Sequence, residues 1–298
     1  MNYNKPALDT PDLLAILKQR GLIINDDQTA LKILSVISYF RLACYFRPLE
    51  IDKQTHTFRS GTTLEQIMAL YNFDTDLRDV VFRAIRQIEI AFRTRLNYRF
   101  SIKYNPFWFT DINLASDGHL FIENLSSVDR EIRRSKEDFI KEHFTRYDQP
   151  AFPPAWKTLE TVSFGLLSKL YGNFAEKSDK KAIANDFGLP QHEFMNSWME
   201  SLTSLRNFCA HHSRIWNRRF ALKPQMPKTL SNGKWLTDFS FQPDKIYPQL
   251  CCIAYLLNNI DPTNTFIVDF KALLTKYPTV NPSAMGFVNG WANEPLWK

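Results

Sequence analysis

An all-α fold is what this 298-residue sequence predicts, and three observations predict it. Glycine is scarce: 9 residues, about 3% against the roughly 7% usual in proteins, leave few sites for the tight turns of β-hairpins. Apolar residues recur at helical spacing through several long windows. Capping residues and stop signals bracket those windows.

Taken in order, Thr10-Pro11-Asp12 reads as a helix start, with a cap and a proline at the first helical position, and Gly21 as its stop. Asp26 or Asp27 can cap a second helix through ALKILSVI. The aromatic run at 38–48 reads as a buried helix ending at Pro48, and 49–61 as the one place for a β-hairpin. Thr62 and Glu65 have capping-box spacing. Behind them Ile67, Leu70, Phe73, Leu77, Ile85, Ile88 and Phe92 keep helical period to about Arg99, a long helix ended by Pro106. One charge-laced helix is expected over about 118–147 and one apolar helix over 154–174. Helices over 178–187, 190–211, 247–260 and 263–277 complete the chain. Trp156, Phe164, Trp198 and Trp216 fall at core positions. No linker divides the sequence and no repeat recurs in it, so one helical domain over 1–298 is expected, with 1–60 as an N-terminal extension and 61–298 as the core.

With 44% apolar and 23% charged residues the composition is that of a soluble globular protein, which excludes disorder as the main theme. Cys44, Cys209, Cys251 and Cys252 form no CxxC pair and two are adjacent, so they read as free thiols of a reducing compartment. The first residues lack a signal-peptide pattern, and no run of roughly 18 uncharged apolar residues occurs. A cytoplasmic protein without a membrane partner is the expectation.

The formal charge of +6 is modest, but it is unevenly distributed. Arg83, Arg86, Arg93, Arg95, Arg99 and Lys103 are accompanied by one acid, Glu89, over 83–103. Arg206, Arg214, Arg218, Arg219 and Lys223 are accompanied by none over 206–223. Each stretch carries +5, leaving −4 for the rest. Clustered arginines on a mildly acidic body point to a polyanion such as RNA; two solvated helix faces are the plain alternative.

The string RNFCAHHSRIWNRR, 206–219, is the most chemically loaded. An arginine and a histidine can together cleave RNA: the imidazole moves a proton at the 2′-hydroxyl or the leaving oxygen, and the guanidinium neutralises the phosphorane. Spacing alone is weak, since 18 arginines and 6 histidines give about one Arg-x(4–6)-His match by chance. In the helix leading in, Met195, Trp198, Leu202, Leu205 and Cys209 form an apolar stripe, with Glu200, Ser204, Asn207 and His211 opposite. Arg206 lies about 140° from His211, so in a straight helix the two cannot meet one phosphate from one direction. Either the helix breaks near Ala210, or a second helix, from a two-fold partner, completes the site. The plain alternative is that Arg206 pairs with an acid and the histidines are incidental. Cys209, His211, His212, Cys251 and Cys252 lack metal-ligand spacing, so neither metal nor cofactor is expected. Glu89 and Arg93, four apart, can pair on the long helix or line the RNA site.

This string resembles the abortive-infection proteins of bacterial phage defence, the Abi-like AbiD/AbiF type of the HEPN superfamily of helical ribonucleases. SYFRLACYFRPLE (38–50), RAIRQIEIAFRTRLNYRF (83–100), PPAWKTLETVSFGLLSKLYGNF (153–174) and MGFVNGWANEPLWK (285–298) resemble blocks of that family in the same order. The resemblance implies a HEPN-type helical bundle, usually dimeric, that cuts RNA without metal and leaves 2′,3′-cyclic phosphate and 5′-hydroxyl ends. It places the motif on Arg206 and His211, with His212 at the next allowed offset and Asn207 as the polar residue after the arginine. Arg83, Arg86, Arg93, Arg95, Arg99, Arg214, Arg218 and Arg219 would then hold the RNA. A structured non-coding RNA is a further implied partner, and a catalytically silent RNA sensor is the alternative function.

Overall fold

The computed structural model describes residues 6–298. Among them are twelve α-helices and one two-stranded sheet, so the fold is all-α. The chain divides into two compact units: one takes the chain up to Leu77 with Leu273–Val280, the other Arg78–Ala272 with Asn281–Lys298.

The first unit holds α1 (Thr10–Gln19), α2 (Asp27–Val36), α3 (Tyr39–Phe46), the hairpin of β1 (Glu50–Asp52) and β2 (Thr57–Phe58), and the start of α4 (Leu64–Lys103). Its caps lie within a residue of their sequence signals. Asp9, not Thr10, accepts from the Asp12 N–H to start α1, and Gly21 turns the chain at φ +88°. Asp26 caps α2, accepting from the Gln28 and Thr29 N–H groups. The capping box of α4 is Thr63 with Gln66, each side chain accepting from the other's backbone N–H at 3.3 and 3.2 Å. Leu17, Leu42, Tyr45, Phe46, Ile67 and Phe73 fill this core, and the Tyr45 hydroxyl donates to the buried Asp74 at 2.6 Å.

The second unit is built around the remainder of α4 and α10 (His192–Ala210). On α4, Val81, Ile85, Ile88, Phe92, Leu96 and Phe100 are buried as the period predicts. Phe92 meets Phe164, Tyr171 and Phe187 edge-to-face, a geometry aromatic quadrupoles favour. α10 packs against α8 (Phe164–Gly172), α9 (Lys177–Asp186) and α11 (Tyr247–Ile260). α11 is buried on all sides from Tyr247 to Leu257 and so is apolar all round. The C-terminal segment folds Phe287, Trp291 and Trp297 onto Tyr247 and onto Phe270 of α12 (Phe266–Lys276).

Three expectations are corrected. The helix expected over 118–147 is two, α5 (Gly118–Arg134) and α6 (Asp138–Arg146), with extended backbone at Ser135 and the Ser135 hydroxyl accepting from the Glu137 N–H. The helix expected over 154–174 is also two, α7 (Ala155–Thr161) and α8. Ser163 caps α8, and the freed carbonyls of Leu159 and Val162 accept from the Arg93 guanidinium at 2.8 and 3.4 Å. Trp156 is 49% exposed and lies outside the core, whereas Phe164, Trp198 and Trp216 are buried.

Candidate functional site

α10 positions the Arg-His string. Met195, Trp198, Leu202, Leu205 and Cys209 are buried, and Glu200, Asn207 and His211 are exposed on the other side. The helix ends at Ala210, at the place where one of the two alternatives put a break. His211 is the C-cap and His212 adopts the left-handed conformation at φ +54°. The His212 N–H donates to the Cys209 carbonyl at 3.0 Å and the Ser213 N–H to that of Phe208 at 2.9 Å, the two bonds of a Schellman motif. Glycine ordinarily holds the left-handed position, because a Cβ there crowds the backbone. His212→Gly is therefore expected to raise stability by about 0.5–1 kcal/mol in urea denaturation. An unchanged or lower midpoint would show that contacts of the ring outweigh the backbone strain.

Arg206 lies against α4, with 34% of its side chain exposed. Its guanidinium carbon sits over the Phe82 ring, 5.5 Å from the centroid, and its Nε is 3.9 Å from Glu89 Oε2. That separation is an ion pair beyond hydrogen-bond reach. None of its five N–H donors bonds a described residue. Glu89 is held back because its other oxygen accepts from Arg93 Nη2 at 2.9 Å, and Arg93 is itself fixed to the end of α7. The predicted Glu89–Arg93 pair is present and nearly buried, at 13% and 12% exposure. Arg206 does pair with an acid, then, but loosely. His211 is exposed and its ring has no partner among the described residues. No hydrogen bond or ion pair joins Arg206 to either histidine.

The basic stretches look different in space. Arg83 pairs with Asp269 at 2.9 Å, Arg99 with both oxygens of Asp186 at 2.6 and 2.5 Å, and Lys103 with Asp179. Arg219 pairs with Asp244. Acids distant in sequence thus neutralise much of what read as two uninterrupted stripes. Arg86 and Arg95 are exposed and without a partner among the described residues, but nine positions apart they point in opposite directions from α4. Arg86 shares the side of Phe82 and Glu89. The second stretch is not a helical stripe: beyond Ala210 the chain is irregular. There Arg218 stacks on Phe208, 3.9 Å from its centroid, and donates to the Arg214 carbonyl. Arg219 holds the Asp244 carboxyl below its ordinary range, and burial, with Arg219 beside it, pushes the Lys245 ammonium down. Lys245 in turn donates to Asn217 Oδ1 at 2.5 Å, fixing the loop at a second left-handed residue.

Among the described residues no three His, Cys, Asp or Glu side chains cluster closely enough to hold a metal ion, and all four cysteines are free thiols. Among the described residues no single helix is long and apolar enough to cross a membrane. The family model for Abi-like proteins matches residues 32–217, more than half of the chain, including Phe82, Glu89, Arg93, Arg206, Asn207, His211 and His212. The chain belongs to the Abi-like family. Membership ties it to abortive infection, the bacterial defence against phage. No curated protein and no solved structure matches it. The Abi-like match ends at Asn217, so the Arg219–Asp244 pair lies beyond it, while the whole Arg206 grip lies within. Phe82 is the residue that sequence reasoning missed: a phenylalanine at an apolar helix position carries no signal of what lies over its ring.

Proposed function

We propose that this Abi-like protein is a HEPN-type endoribonuclease that acts in abortive infection by Arg- and His-assisted transesterification, without metal. The observation that carries the reading is Arg206, a half-buried guanidinium held by an aromatic face and a loosely paired carboxylate, with none of its N–H donors engaged among the described residues. Elsewhere in the unit, Arg83, Arg93, Arg99, Arg218 and Arg219 have protein acceptors. A guanidinium kept in place but uncommitted suits a phosphate, whose oxygens accept two parallel N–H bonds.

The 2′-oxygen attacks phosphorus and its proton passes to an imidazole, His211 or His212; the bond to the 5′-oxygen breaks and that oxygen takes a proton from an imidazolium. Arg206 stabilises the charge on the phosphorane. Arg206 and His211 diverge by about 140° around α10, so a two-fold partner is proposed to supply the complementary copy, with Asn207 beside His211 on the exposed side. The test is incubation of the purified protein with tRNA and total RNA in EDTA, with mapping of ends. Wild type is expected to leave 2′,3′-cyclic phosphate and 5′-hydroxyl termini, and His211→Ala, His212→Ala or both to stop cleavage. Binding without cleavage would favour an RNA sensor instead.

The side of α4 that carries Arg86 is the side that meets RNA on this reading. Arg86→Ala is expected to weaken RNA binding several-fold at low salt and to lower the salt slope by about one ion, whereas Arg95→Ala changes neither. Equal effects of the two, measured by fluorescence anisotropy across a salt series, would place the RNA elsewhere.

A further inference from the structure

We propose that Phe82 is a positioning residue for Arg206, its ring holding the guanidinium so that the N–H edge stays open to a phosphate. The inference rests on the reading of Arg206 as catalytic and adds the element that keeps it ready.

An arginine can be fixed in two ways. Acceptors can take its N–H groups, as Leu159, Val162 and Glu89 do for Arg93 and Asp186 does for Arg99. Such an arginine is rigid, but its donors are occupied. A ring face instead attracts the cation through its quadrupole and takes no donor. Arg206 has the second kind of support without the first: the Phe82 ring lies 5.5 Å from its guanidinium carbon, and the Glu89 carboxylate pairs with it at 3.9 Å, beyond hydrogen-bond reach. Phe82 and Glu89, seven residues apart, are separated by only about 20° around α4 and about 10 Å along it, so one face of one helix presents both contacts. Arg218 shows the contrast. It stacks closer, at 3.9 Å over Phe208, but also donates to the Arg214 carbonyl and so is committed within the protein. The Phe82 ring is itself half-buried.

The full-length protein with Phe82→Leu and with Phe82→Tyr tests this. Leucine keeps apolar bulk and removes the quadrupole; tyrosine keeps the ring. Phe82→Leu is expected to lower kcat for RNA cleavage by roughly tenfold with KM within about twofold, and Phe82→Tyr to retain activity within about twofold. Cleavage by Phe82→Leu at the wild-type rate, or equal losses in both variants, would overturn the proposal, since simple packing would then account for the residue. A second measurement does not depend on cleavage. In a sample with isotope-labelled arginine, the Arg206 δ-methylene and Nε–H resonances, assigned by their loss in Arg206→Lys, are expected upfield in wild type and Phe82→Tyr and at ordinary positions in Phe82→Leu. Ordinary positions in wild type would refute the positioning role. A wild-type protein that cuts no RNA yet shows the upfield resonances would instead remove the catalytic reading and leave the grip on Arg206 standing.

Discussion

Arg206→Ala is expected to lower RNA cleavage by about 10²–10³-fold or more while leaving the melting temperature nearly unchanged. The first half follows from what a guanidinium does at a phosphorane: removing one preorganised donor from such a charge costs about 3–4 kcal/mol in well-characterised sites. The second half follows from the contacts. Arg206 makes no hydrogen bond within the described residues, and Glu89 keeps its 2.9 Å bond to Arg93 when Arg206 is gone, so no buried acid is orphaned. Arg206→Lys keeps the charge but loses the planar fork that matches two phosphate oxygens, and is expected to recover only a small part of the activity. Gel-based cleavage in EDTA beside a circular-dichroism melt reads both halves together. Cleavage by Arg206→Ala within tenfold of wild type removes the residue from the chemistry. A large drop in melting temperature would show that it is structural.

How much of this was legible in the sequence depends on whether the deciding interaction was local. The Glu89–Arg93 pair and the two-sided pattern of α10 are contacts within one helix, and spacing exposed both. A break near Ala210 was one of two alternatives that the divergence of Arg206 and His211 left open, and α10 does end there; that a histidine rather than a glycine takes the left-handed position was not legible. The break between α7 and α8 left no trace, because Ser163 sits in an apolar run with no proline, and the acceptor groups freed there are satisfied by Arg93, some 66 residues earlier in the chain. The basic stretches misled for the same reason. Their neutralising acids, Asp179, Asp186, Asp244 and Asp269, are brought in by the fold from elsewhere in the chain. The compensated charge came from tertiary contacts that no local window contains, whereas the break at Ser135 is held by a bond two residues long.

Arg93→Ala provides the complementary result: it is expected to destabilise the protein by about 2–4 kcal/mol and to impair cleavage although the Arg93 guanidinium is committed to protein acceptors. Arg93 is 12% exposed and joins the Glu89 carboxylate, the Leu159 and Val162 carbonyls and, at 3.8 Å, the exposed Glu160 carboxylate. Removing it strands a carboxylate that is 13% exposed and two carbonyls at a helix end, and loss of one partner from a buried ion pair costs several kcal/mol because the other charge remains. The stranded carboxylate has one cation within reach, Arg206 at 3.9 Å. Closing that gap by about an ångström would turn a loose ion pair into hydrogen bonds that occupy the donors a phosphate needs. The loss of activity should therefore depend on the charge of Glu89. Glu89→Gln added to Arg93→Ala removes that charge, and the double variant is expected to recover part of both the stability and the cleavage rate, a coupling that a double-mutant cycle measures directly. If Glu89→Gln adds its own losses instead, the carboxylate supports Arg206 only through packing, and restraint of Glu89 by Arg93 is not what keeps the guanidinium open.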